Sequence, residues 1–189
     1  MDRRQVRDTD VVETERLRLV PYSPEQILAL IEDPELFNLV SAYPAAPGLR
    51  EFYTSGELSK DYLDNLRRLD GPNPWQLGFA VVDRIISRVV GVGGFKGPAN
   101  KGTVEIAYGI VPSHQGAGYA TEVARALISF ARADSTVDLI IAHTLPTRNA
   151  STSVLAKCGF VFTGEVDDPD DGRVWRWELR SDGDGSGRA

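Results

Sequence analysis

Between Thr103 and Ala131 the chain passes from a two-residue to a helical apolar period across a turn that contains two glycines, and few folds accommodate such a junction. Over Thr103 to Val111, Val104, Ile106, Tyr108 and Ile110 share one face of a strand, while Glu105, Ala107 and Gly109 share the other. Ala120, Val123, Ala124, Leu127, Ile128 and Ala131 then form a single helical stripe. Between them, Gly116 and Gly118 permit positive φ and close approach of a ligand. The first N–H groups of the helix lack internal partners and lie at the positive end of its dipole. Strand, turn and helix in this order predict a site for an anionic group.

Two familiar phosphate motifs fail at this turn. A dinucleotide fingerprint needs a third glycine where Thr121 stands, and its first glycine almost directly after the strand, where Pro112, Ser113, His114 and Gln115 intervene. A P-loop needs a Gly-Lys-Ser/Thr that does not follow. An ordinary glycine-containing helix entry is the plain alternative. However, Gln115-x-x-Gly118-x-Ala120 resembles the pyrophosphate-binding motif of the GNAT superfamily of acyl-CoA-dependent N-acetyltransferases. Downstream, His143-Thr-Leu-Pro-Thr-Arg-Asn-Ala-Ser-Thr-Ser-Val-Leu-Ala-Lys-Cys-Gly-Phe160 is similar to the Asn-Ala-Ser helix and Gly-Phe strand start of the branch that includes ribosomal-protein N-terminal acetyltransferases. With Gly-Gly-Phe95 and Glu105-Ile-Ala-Tyr-Gly-Ile-Val-Pro112, the resemblance covers residues 76 to 180 well and 12 to 33 loosely.

The resemblance implies a mixed α/β (α+β) acyl-CoA N-acyltransferase fold: a twisted, mostly antiparallel sheet splayed between its fourth and fifth strands, with helices on both faces. It also implies acetyl-CoA as co-substrate, its pantetheine arm against the backbone of Ile110 and Val111. The phosphates would meet the turn of Gln115, Gly116, Ala117, Gly118, Tyr119, Ala120 and Thr121. Asn149, Ser151 and Ser153 fall at further cofactor positions, although Ser153 stands where the branch often carries arginine, a departure that weakens a phosphate contact. Asn149 is in addition suited to cap the helix that holds Ala150, Val154 and Leu155 and ends at Gly159.

Composition suits one domain over residues 12–180, after a flexible N-terminus (1–11) and before a disordered tail (181–189). The chain of 189 residues is 42% hydrophobic, ordinary for a globular protein. It has no apolar run of membrane-spanning length and no signal-peptide core, so a cytoplasmic location without a membrane partner is expected. One cysteine, Cys158, and two histidines make neither an internal disulfide nor a zinc set, so no metal is expected. A net charge of −6 argues against nucleic acid and favours a cationic acceptor. Glu165, Asp167, Asp168, Asp170 and Asp171 read as an acidic turn between two strands, either merely solvated or attracting an amine.

Leu17, Leu19 and Tyr22 mark a first strand, and Ser23-Pro24-Glu25 has the cap, proline and acid of a helix running to about Asp33. Residues 34 to 58 have no clear period and read as packed loop or as an acceptor-side flap, ahead of a helix at about 59 to 69. Strands are expected at 76–82, 88–95, 104–111, 139–144, 160–165 and 174–180. A right-handed crossover places 139–144 parallel to 104–111.

The reaction implied by the resemblance is direct transfer of the acetyl group to a primary amine, a protein N-terminal α-amine or a small-molecule amine, within a ternary complex. An α-amine with a pKa near 8 costs about 1.4 kcal/mol to deprotonate at pH 7, against about 4.6 kcal/mol for lysine, which mildly favours the α-amine where no histidine cluster serves as base. Glu105 is the candidate for proton removal through water, its alternative being a carboxylate paired with Lys or Arg. Tyr108, on the opposite face, is a candidate to protonate the leaving thiolate, as are Ser151 and Ser153. His143 reads as a hydrogen-bonded packing residue, His114 as a support of the turn, and Cys158 as a small core residue. A non-catalytic acyl-CoA-binding or regulatory module is the alternative function. Acceptor identity is not legible, and residues 34–75 are compatible with a monomer or a homodimer.

Overall fold

The computed structural model describes residues 10–55, 60–169 and 172–180. Eight strands form one sheet in the order β1-β2-β3-β4-β5-β6-β8-β7. These are β1 (Val12–Glu13), β2 (Leu17–Pro21), β3 (Phe79–Asp83), β4 (Arg88–Phe95), β5 (Thr103–Ile110), β6 (Leu139–Thr144), β7 (Val161–Asp168) and β8 (Gly172–Arg180). Every neighbouring pair is antiparallel except β5 with β6. The expected splay lies at that parallel pair, fifth and sixth here because the short β1 precedes the strand read first from the sequence.

The helices are α1 (Pro24–Glu32), α2 (Pro34–Val40), α3 (Glu51–Thr54), α4 (Lys60–Arg68), α5 (Pro74–Leu77), α6 (Tyr119–Arg132) and α7 (Ala150–Lys157). Ser23 caps α1 in a reciprocal box with Gln26. The helix ends at Asp33, whose own side chain accepts from Glu35 N and starts α2 with Pro34 in its first turn. That double use of Asp33 explains why the segment after it, aperiodic in sequence, contains a helix. Gln76 and Leu77, expected in a strand, instead form the end of α5: Asn73 caps it, Pro74 opens it, and Gly78 at φ 68° ends it. The acidic residues Glu165, Asp167 and Asp168 lie within β7 and not in a turn, while Asp170 and Asp171 lie outside the described residues. The N-terminal and tail readings fall on 1–9 and 181–189, also outside them, and only Asp10 and Val11 of the expected N-terminal segment are described.

The apolar stripe of α6 packs on the sheet, with Val123, Leu127 and Ala131 fully buried. Truncating Leu127 to alanine is expected to cost about 2–5 kcal/mol. At the other end of the same helix, Phe130 joins Trp75, Phe79 and Phe95 in an aromatic cluster with centroids 4.4 to 5.8 Å apart. Helix α6 is thus held along its length, which fixes where its N-terminus meets the turn after β5. No described helix is long and apolar enough to cross a membrane.

Candidate active site

Strands β5 and β6 are paired only from Thr103 to Glu105 against Leu139 to Ile141. Beyond Glu105, β5 continues along β4, and beyond Ile141, β6 continues along β8, so the two part. Glu105 O accepts from Lys96 N at 3.0 Å and Val111 N donates to Val90 O at 2.9 Å, which fixes the alternation of the ladder. Odd-numbered residues of β5 turn their backbone groups toward β4. Tyr108 and Ile110 therefore turn theirs toward the gap. The N–H of Val111, expected against the pantetheine arm, is already committed to Val90, whereas the N–H of Ile110 is directed to the gap.

The gap opens into a cleft of about 390 Å³ that includes Tyr108, Ile110, Gly116, Gly118, Ser151 and Lys157 in its walls. At its mouth, a short 3-10 turn of Pro112–His114 leads into Gly116 at φ 79° and Gly118 at φ 85°. These values demand glycine. The space above Gly116 is open, so conformation and not crowding sets the requirement. Gly118 caps α6 without a side chain, and Glu122 N–H is bonded to Gly118 O at 3.2 Å. The side chain of Gln115 donates to Ile110 O at 2.8 Å and thus shapes the turn. The side chain of Tyr119 donates to Asp83 at 2.7 Å, which ties the start of α6 to the end of β3.

Helix α7 forms the opposite wall. Asn149 caps it in a reciprocal box with Thr152, bonds of 3.0 and 3.1 Å. Ser153 donates to Asn149 O at 3.3 Å and is exposed. Cys158 Sγ lies 3.8 Å from Thr121 O, and burial pushes its thiol up, as suits a packing residue.

A second cavity, about 170 Å³, includes Lys96, Glu105, Tyr108, His143 and Ser151 in its lining. The two cavities share Tyr108 and Ser151. Glu105 Oε1 lies 3.1 Å from His143 Nδ1 and 3.1 Å from Lys96 Nζ. A carboxylate only accepts, so the contact places hydrogen on Nδ1. Asp168 Oδ2 stands 3.8 Å from the same nitrogen, within ion-pair reach but beyond a hydrogen bond. Nε2 of His143 and the hydroxyl of Tyr108 are buried, with no hydrogen-bond partner among the described residues. Burial also pushes the Tyr108 hydroxyl well above its ordinary pKa. Glu105 thus lines the cavity and is paired with a lysine, as the second of its two sequence readings has it. The grouping with His143 was missed. The parallel register makes it, since Glu105 opposite Ile141 puts residue 143 on the same face two residues on, and that register has no local mark in the sequence.

On the Glu105 face, Phe52 of α3 lies over Gly109, where an added Cβ would come within 2.6 Å of its ring. Phe52, Tyr108 and Gly109 line both the cleft at the glycine turn and a further cleft that includes Tyr53, Gly94 and Ala107 in its walls. Among the described residues no group of three His, Cys, Asp or Glu side chains is placed to hold a metal.

Sequence comparison with curated proteins gives no match. Among solved structures, the fold is similar to a ribosomal-protein α-N-acetyltransferase, RimL, in complex with coenzyme A (14% identity, TM-score 0.63, covering 93% of this chain and 100% of that one). It is similar also to a ribosomal-protein alanine acetyltransferase from Vibrio fischeri (18%, 0.63, 91% and 97%) and to a GNAT-family acetyltransferase from Bacillus anthracis (18%, 0.61, 90% and 98%). Residues 16–161 match the family model of the acetyltransferase (GNAT) domain, and the chain belongs to the GNAT acetyltransferase family.

Proposed function

We propose that this protein transfers the acetyl group of acetyl-CoA to a primary amine, a protein N-terminal α-amine or a small-molecule amine, by direct attack in a ternary complex. The observation that carries the reading is the parting of β5 from β6 directly beyond Glu105. It exposes strand backbone to a cleft that begins at a glycine turn and ends beside a carboxylate. The donor set fits a phosphorylated thioester: open N–H groups at the turn for phosphate and the Tyr108 and Ile110 backbone for an amide-bearing arm. When bound, acetyl-CoA supplies an activated acyl group.

The residues divide the remaining work. Backbone N–H of Ile110 polarises the acyl carbonyl from a fixed strand, so no reorganisation is needed as charge develops. Glu105 takes the acceptor's ammonium proton through water. Its Oε1 lies against His143 and Lys96, so the carboxylate is held in place at the cavity wall for this task. Tyr108 and Ser151 stand where the two cavities meet, which suits them to donate a hydrogen bond to the leaving sulfur. The buried Tyr108 hydroxyl holds its proton more tightly than a thiolate would, so it steadies the departing thiolate by donation without full transfer, and the thiolate takes the second proton that the attacking nitrogen loses as it becomes the amide. Asn149 orders the facing helix, and a cytoplasmic setting belongs to the same reading.

Calorimetric titration of coenzyme A into the wild type and Gly118→Glu tests the site. Binding should be lost in the variant, where a side chain is forced into the left-handed region and brings a new carboxylate beside Arg16, disturbing the turn. Equal affinity in a folded Gly118→Glu protein would reject the assignment.

A further inference from the structure

The turn that meets the phosphates has φ values its own sequence tolerates but does not enforce, and its glycines are exposed. Enforcement comes from residues about a hundred positions upstream. Arg16, at the entrance to β2, donates from Nη1 to Ala117 O at 2.8 Å. The C=O and N–H of a trans peptide point in opposite directions. Drawing the Ala117 carbonyl toward Arg16 therefore turns the N–H of Gly118 away from it, toward the cleft.

The same guanidinium settles the charge of the first helical turn. Glu122 would repel an incoming pyrophosphate, but Arg16 donates to it from Nε at 2.8 Å and approaches from Nη2 at 2.8 Å. Arg16 N and Thr14 Oγ1 reach the other oxygen of Glu122 at 2.9 and 2.6 Å. Above this pair, the guanidinium lies 4.6 Å from the centre of the Tyr119 ring, whose hydroxyl is anchored on buried Asp83. Asp83 in turn accepts from Ile85 N and Ile86 N at the β3–β4 hairpin. Carbonyl, carboxylate and ring, the three contacts of Arg16, thus flank Gly118 on residues 117, 119 and 122.

We infer that Arg16 is a positioning residue for the acyl-CoA phosphate turn: it orients the Ala117–Gly118 peptide and neutralises Glu122, acting through them and without a role in the chemistry. The inference rests on the proposed acyl-CoA reading. Arginine is required, since lysine cannot serve the carbonyl, the carboxylate and the ring face together.

The test is calorimetric affinity for coenzyme A in wild type, Arg16→Gln, Arg16→Lys and Arg84→Gln, with melting temperature measured for each. Arg84 binds Thr14 O and Glu15 O on the same segment but does not touch the turn, so it controls for damage to the strand. Arg16→Gln is expected to raise Kd about tenfold or more and Arg16→Lys nearly as much, with Arg84→Gln within about twofold of wild type. With an amine acceptor, the loss should appear in KM for acetyl-CoA more than in kcat. Wild-type affinity in folded Arg16→Gln overturns the inference. Should Arg16→Gln not fold, wild-type affinity in Arg16→Lys overturns it equally. A wild type that binds no coenzyme A would instead overturn the acyl-CoA reading itself.

Discussion

At the residue scale, Glu105 carries the greatest burden in the proposed reaction, and its surroundings say what its replacement should do. Glu105→Gln keeps the shape but cannot take a proton, so kcat at pH 7 is expected to fall about 100-fold or more, with KM for acetyl-CoA nearly unchanged. Initial rates at saturating cofactor check this, and a rate within a few-fold of wild type would remove Glu105 from the chemistry. His143 holds Glu105 through Nδ1. His143→Ala should cost about tenfold in kcat, the scale of one charge-assisted hydrogen bond, while His143→Asn, whose amide can donate from a similar position, should recover much of it. Both residues were visible in the sequence. Their contact was not, because a pairing across 38 positions depends on the register of two strands and leaves no local trace.

At the element scale, the segment between α1 and α4 was the least legible part of the chain. Its elements are one or two turns long, and tertiary contacts hold them: Pro44 O and Ala46 N bond to the backbone of Val89, and Leu49 is buried. Long elements with a sustained period, such as α6 and β4 to β6, needed no such help and were readable from pattern and caps. The short α3 has a consequence for the site through Phe52. Gly109→Ala places a methyl against that ring, and overpacking of this kind costs about 1–3 kcal/mol. Phe52→Ala in the same chain should recover much of the cost, so a double-mutant cycle measured by urea denaturation should show coupling above about 0.5 kcal/mol. Strict additivity would mean that the ring is not seated there.

At the scale of the whole molecule, the glycine turn is tied to the fold through two carboxyls. For Asp83, desolvation acts to raise the pKa, but the bonds from Tyr119, Ile85 and Ile86 outweigh it and hold the group below its usual range. Glu122 behaves likewise, with Thr14 and Arg16 outweighing desolvation. A depressed folded-state pKa gives stability that is complete above the unfolded value of about 4 and lost as pH falls through the folded value. The melting temperature should therefore drop as pH is lowered from about 6 to about 3, and less steeply in Asp83→Asn with Glu122→Gln; equal slopes would contradict the linkage. The central claim, acyl transfer to an amine, is tested most directly by release of coenzyme A thiol from acetyl-CoA across N-terminal peptides, lysine peptides, polyamines and aminoglycosides. The account predicts release that depends on one acceptor class and is abolished in Gly118→Glu; tight binding of acetyl-CoA with no release for any amine would contradict it.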